Sequence, residues 1–146
     1  GGGGGGGGGG EGGQLSDRQR EIVAATFNLL RDSATTRADD LAENVVTVAL
    51  AQERLKEQAE TLAERMRNRG VTTDTAFALI ARLLPEAARE MGTAAESLRR
   101  GRLTEALQPE QRALRLLQQA EAVFREVQVS FQQQGGGGGG GGGPVA

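Results

Sequence analysis

The 146-residue chain balances 19 acidic against 17 basic side chains, for a formal charge of −2, and contains no histidine, cysteine, tryptophan or tyrosine. Without imidazole or thiol it lacks the usual general bases, reactive nucleophiles and soft metal ligands, and it forms no disulfide. Its scattered charge makes no long-range field to gather nucleic acid or a membrane surface.

Glycine fills residues 1–10, 12–13 and 135–143. Such runs bury nothing and lose the most backbone entropy on ordering. They are expected to be flexible tethers, 1–13 and 135–146, ten glycines reaching about 17 Å. That leaves 14–134 as one α-helical domain. No stretch reaches 18 apolar residues and no charged-then-apolar leader is seen, so neither a membrane span nor an export signal is expected in this chain.

The first helix is expected to start at Ser16, with Gln19 completing a capping box and Asp17 favouring the positive helix end. Ile22, Val23, Phe27 and Leu30 then make one apolar stripe, ending near Asp32. Thr36 with Asp39 predicts the start of a second helix, which runs without proline or glycine to Arg69 and stops at Gly70.

Along that helix Leu41, Val45, Val48, Gln52, Leu55, Ala59, Leu62 and Met66 follow one another at alternating steps of four and three. This row is a bundle or coiled-coil seam, and the helix carrying it reads as a spine of roughly 43 Å. A helix of that length is stabilised mainly by packing, so the other helices are expected to cover the seam. Gln52, its one polar member, marks either a register-fixing buried contact or a wetter place in the seam.

A third helix is predicted from Thr72 or Thr73, with Asp74 in its first turn and Phe77, Ile80 and Leu84 inward. Pro85 removes an amide and forces a kink or a break. A kinked continuation, with Ala88, Met91, Ala95 and Leu98 extending the stripe to Arg100 and Gly101 as stop, is preferred. Residues 103–107 then read as a short helical piece. Pro109, with Glu110 behind it, is expected to open the last helix in a first-turn position. There Leu114, Leu117, Phe124, Val127 and Phe131 are taken to face inward, with Ala113, Leu116, Ala120 and Val123 broadening the face. No segment alternates with period two, so a sheet is not expected.

Three groups invite a chemical reading. Glu53, Glu57, Glu60 and Glu64 share one helix face, but the carboxylate di-metal bundles also need histidines, and Arg54, Lys56 and Arg65 interleave the row. A solvated charged face is the simpler reading. Arg65, Arg67, Arg69 and Arg99, Arg100, Arg102 could contact phosphate, yet cations near helix ends are accounted for by the helix dipole. The glycine runs lack the strand and lysine context of a phosphate loop. No cofactor, metal, nucleic acid or small-molecule ligand is expected.

Ala94, Gly101, Ala106 and Ala113, with Leu103, Glu105 and Leu107 around them, resemble the small-residue spacing of a single tetratricopeptide helix pair. Ser97 and Glu110 stand where that repeat carries aromatics, Pro109 would interrupt its second helix, and no second copy appears at a period of about 34. A broader resemblance rests on LSDRQREIVAATFNLLRD (15–32), AQERLKEQAETLAERM (51–66) and ALQPEQRALRLLQQAEAVFREVQ (106–128). These stretches are similar to the soluble helical region of large uncharacterised bacterial membrane proteins rich in Arg, Gln, Glu and Gly. That resemblance implies envelope attachment through a segment outside this chain and carries no known activity.

The expectation is therefore an all-α bundle of four or five helices, non-catalytic, working as a structural or protein-interaction module. Its candidate contact surface is any exposed part of the seam Leu41, Val45, Val48, Gln52, Leu55, Leu62 and Met66. Self-association of the seam is the alternative, and a carboxylate metal protein a distant third.

Overall fold

The computed structural model describes residues 10–68 and 75–136, with side chains over 14–68 and 75–130. Four helices account for them: α1 (Gly10–Asp32), α2 (Ala38–Asn68), α3 (Thr75–Arg99) and α4 (Leu103–Gly136). The fold is all-α, a four-helix bundle. α1 and α3 each pack against α2 and α4, and the diagonal pairs make no close approach among the described residues. Neighbours run antiparallel: Ser16 meets Glu121 while Thr26 meets Glu110, and Arg18 meets Gln58 while Gln19 meets Gln52.

Two neighbouring helix pairs are welded by small residues. α3 buries Ala87, Ala88, Ala94 and Ala95 around Leu84, Met91 and Leu98; α2 answers with Ala49, Ala59 and Ala63, and α4 with Ala106, Ala113 and Ala120. Alanine at facing positions lets helix axes approach closely, so a short apolar side chain still reaches its neighbours. α1 is attached differently. Its buried apolar residues are Leu15, Ile22 and Val23, interleaved with the equally buried Ser16, Gln19 and Thr26.

The helix boundaries differ from the sequence expectation in ways that share a cause. Ser16 does not open α1, which already begins at Gly10, and Ser16 is 1% exposed inside it. Thr36 does not open α2. Its hydroxyl donates to the Asp32 carbonyl at 2.6 Å, as Thr35 does at 3.2 Å and Ser33 does to Leu30 at 3.0 Å. These hydroxyls satisfy the last carbonyls of α1 rather than the first amides of α2. α2 starts at Ala38, with the Arg37 carbonyl accepting from Leu41 N–H at 2.8 Å and Asp39 and Asp40 in the first turn. The stop expected at Arg69 and Gly70 and the start expected at 72–74 lie outside the described residues. The helices take in Gly10 at one end and Gly136 at the other; the rest of each glycine run also lies outside the described residues.

Both internal prolines are absorbed. α3 continues through Pro85 as one helix, as preferred from the sequence. Pro109 was expected to start a helix after a short separate piece. Instead it sits buried inside α4, which begins at Leu103 and, at 34 residues against 31 for α2, is the longest helix among the described residues. An internal proline costs about 3 kcal/mol, and here the flanking Ala106, Glu110 and Ala113 are all inward, so tertiary packing holds the helix across it. The spine role assigned to α2 alone is thus shared with α4.

Gly101 does end α3. Its φ of 74° is left-handed, Gly101 N–H donates to Leu98 at 2.9 Å and Arg102 N–H to Ser97 at 2.9 Å. This is a Schellman cap, and it turns the chain into α4 within three residues. A Cβ at Gly101 would touch nothing within 4 Å, so only backbone strain opposes it. Gly101→Ala is expected to cost about 1–2 kcal/mol, read from the urea midpoint. An unchanged midpoint would show that the connection re-forms without a left-handed residue.

Two inward assignments are corrected. Phe27 is 48% exposed, because the inner face of α1 runs through Ser16, Gln19, Val23 and Thr26, on whose margin Phe27 falls. On α4 the buried row is Leu103, Ala106, Glu110, Ala113, Leu117 and Ala120. Leu114, Leu116, Val123, Phe124 and Val127 are half-buried at its edges, and the Phe131 side chain lies outside the described residues.

Candidate functional site

The seam of α2 lies against α1 and α3. Val45, Val48, Gln52, Leu55 and Ala59 are buried, whereas Leu41, Leu62 and Met66 are half-buried towards the two ends. At its centre the seam becomes polar, and three helices meet there through hydrogen bonds.

Gln52 and Gln19 have no exposed surface and face each other as a closed amide pair. Gln19 Nε2 donates to Gln52 Oε1 at 3.0 Å and Gln52 Nε2 donates to Gln19 Oε1 at 2.8 Å. Gln19 Nε2 also donates to the Glu110 carbonyl of α4 at 3.0 Å. Gln52 is therefore a buried, hydrogen-bonded member of the seam rather than a wetter place in it.

Two turns further along α1, Thr26 Oγ1 donates to Glu110 Oε2 at 2.7 Å, and at the other end Ser16 Oγ donates to Glu121 Oε1 at 3.1 Å. Glu110 is fully buried and its Oε1 has no hydrogen-bond partner among the described residues. Burial pushes its carboxyl up from the usual range to about 7, the Thr26 hydrogen bond opposing the shift. No charged group contributes to that shift. The layer ties α1 to α2 and α4 through these hydrogen bonds.

The sequence reading missed Glu110 and Gln19 by placing both at helix starts. A signal was present for Glu110: it continues the alanine row 106, 113 and 120 at steps of four and three, the inward spacing of α4.

An open groove of about 490 Å³ lies between the first half of α1 and the second half of α2. Leu15 and Leu62 line it with Gln14, Gln58 and Thr61, and its charged members are Arg18, Arg54, Arg65 and Glu57. Arg18 Nη1 donates to Gln58 Oε1 at 3.2 Å across the groove. Thus one member of the seam, Leu62, surfaces in a cationic cleft.

The other charged groups disperse. Among the described residues, no three carboxylates come together as a metal site. Glu53 is clasped by Arg99 through two hydrogen bonds, which tie α3 to α2 and hold the Glu53 carboxyl below its usual range. Glu60 pairs with Lys56 at 2.8 Å, Arg100 with Glu96 at 3.1 Å and Arg102 with Glu105 at 3.6 Å. Arg112 reaches Glu90 at 3.1 Å, tying α4 to α3. Arg99, Arg100 and Arg102 therefore pair with carboxylates of this chain, and Arg65 is among the residues lining the groove. Among the described residues no helix is long and apolar enough to cross a membrane.

These features define an all-helical bundle domain whose core is alanine-rich between α2, α3 and α4 and hydrogen-bonded where α1 joins. The chain belongs to the family described as Domain of unknown function (DUF4175), whose model matches residues 2–145. Comparison with curated proteins and with solved structures gives no match.

Proposed function

We propose that this domain is a non-catalytic helical module of a larger, envelope-associated bacterial protein, and that it holds another polypeptide segment in the groove between α1 and α2. The groove itself carries the reading: an apolar floor of Leu15 and Leu62 flanked by three arginines and one glutamate suits an acidic amphipathic helix. Its charges would orient the segment and its leucines would anchor it. The half-buried seam residues Leu62 and Met66 lie on the second half of α2, which forms one wall of that surface.

A photo-crosslinking side chain at the exposed groove residue Thr61 of the full protein, in cells, tests it against one at exposed Gln118 on α4. Adducts are expected from Thr61 and not Gln118, and Arg18→Glu with Arg54→Glu is expected to abolish them. Equal adducts at both positions, or adducts indifferent to the charge reversal, would discard the groove as the contact surface.

Val46 and Leu50, one helical turn apart on the outer face of α2 and each 45% exposed, favour a second reading in which two copies pair. Sedimentation velocity decides it: a mass independent of concentration and equal to one chain removes self-association.

A further inference from the structure

Glu110 points into the bundle without any exposed surface, yet only one carboxyl oxygen is bonded. Oε2 accepts from Thr26 of α1; Oε1 accepts from no described residue. A buried carboxylate oxygen missing a protein partner is costly once charged, because the lost hydration is not replaced by a protein donor.

Nothing nearby offsets that cost. α1 contributes Thr26 and Gln19, and α2 contributes Gln52, none of them ionisable. Every buried side chain of α3 is apolar, and the residues one turn away on α4 are Ala106, Leu107, Ala113 and Leu114, all uncharged. Desolvation is the leading cause of the raised carboxyl, and no charge, of either sign, contributes.

The position of this group matters because α1 is the helix held least by apolar contact. Its inward polar side chains, Ser16, Gln19 and Thr26, all bond to α2 or α4, and two of the three engage Glu110 through its side chain or its carbonyl. Hydrogen bonds of this kind hold α1 only while water is excluded from them.

We propose that Glu110 is a proton-operated latch for α1: neutral, it closes α1 onto α4 through Thr26, and ionised, it drives α1 off α2 and α4 so that water reaches the layer. The folded-state carboxyl titrates above its ordinary value of 4.5, near 7. Docking of α1 is therefore strongest below the ordinary value, weakens as pH rises through about 7, and changes no further above it. Because α1 forms one wall of the arginine-lined groove, ionisation also dismantles that groove.

Amide hydrogen exchange on the whole chain at pH 5.5 and 8.5, corrected for intrinsic exchange rates, tests the latch. Protection of α1 amides is expected to fall by about 30-fold between the two, the factor that a shift from 4.5 to about 7 implies over that interval, with α3 little changed. Glu110→Gln keeps an oxygen for Thr26 and cannot ionise, so its α1 protection is expected to be independent of pH. Should that variant not fold, carbon NMR of the Glu110 carboxyl in the unaltered chain is expected to titrate together with the loss of α1 protection. Equal α1 protection at both pH values overturns the proposal. So does a uniform loss across all helices, or a carboxyl that titrates in the ordinary range.

Discussion

Met91→Ala is expected to lower the unfolding free energy by about 2–5 kcal/mol. Met91 has no exposed surface and sits midway along α3 between Ala87, Ala88, Ala94 and Ala95. In a core built from alanines, the few long side chains supply most of the contact between helices. Alanines around the vacated space have no rotamers with which to fill it, so the cavity persists and its full cost is felt. Chemical denaturation measures the change. A loss below about 1 kcal/mol would mean that the helices slide inward to close the gap, and that helix spacing here is softer than the alanine seams imply.

The amide pair yields the second large effect, in the form of a coupling. Gln52→Leu leaves Gln19 Oε1 buried without a donor, and Gln19→Leu strips partners from both Gln52 and the Glu110 carbonyl. Each single change is expected to cost about 1–3 kcal/mol, since an orphaned buried polar group forfeits its hydration with no return. The double change removes both orphans at once and is expected to cost less than the sum by about 1–2 kcal/mol. A double-mutant cycle with no coupling would show that the two amides do not depend on each other, contrary to their facing geometry. The double variant also tests specificity. With leucine at both positions the interior offers no polar contact between α1 and α2 to fix their register, so broadened spectra at retained helicity are expected.

Much of this architecture is legible in the residues. The seam of α2 is a spacing signal, and the buried run Val45, Val48, Gln52, Leu55 and Ala59 follows it closely. Gly101 is legible for the same reason: a helix whose periodic pattern stops before a glycine needs a left-handed residue there, and 74° is what it adopts. Ser16, Thr36 and Pro109 were misplaced for one shared reason. A hydroxyl, a proline or an acidic residue near a helix start stabilises that start locally, but the same side chains also bond or pack inside a helix when another element comes to meet them. Glu121 meets Ser16, the end of α1 meets Thr36, and the buried alanine row flanks Pro109. Local patterns cannot contain these partners, which lie up to 105 residues away in the chain.

Composition and spacing by themselves determined that this chain is all-helical, that it lacks imidazole and thiol chemistry, and where its most regular helix turns its apolar edge, because those properties depend on side-chain identity and a period of about 3.6 residues. Only the tertiary structure decided that Gln19, Thr26, Gln52 and Glu110 share one dry layer. Burial of a polar group is a property of what surrounds it, and the surroundings of each come from three helices distant in sequence. That is why a glutamate indistinguishable along the chain from its solvated neighbours acquires, through folding alone, a carboxyl that titrates near neutrality.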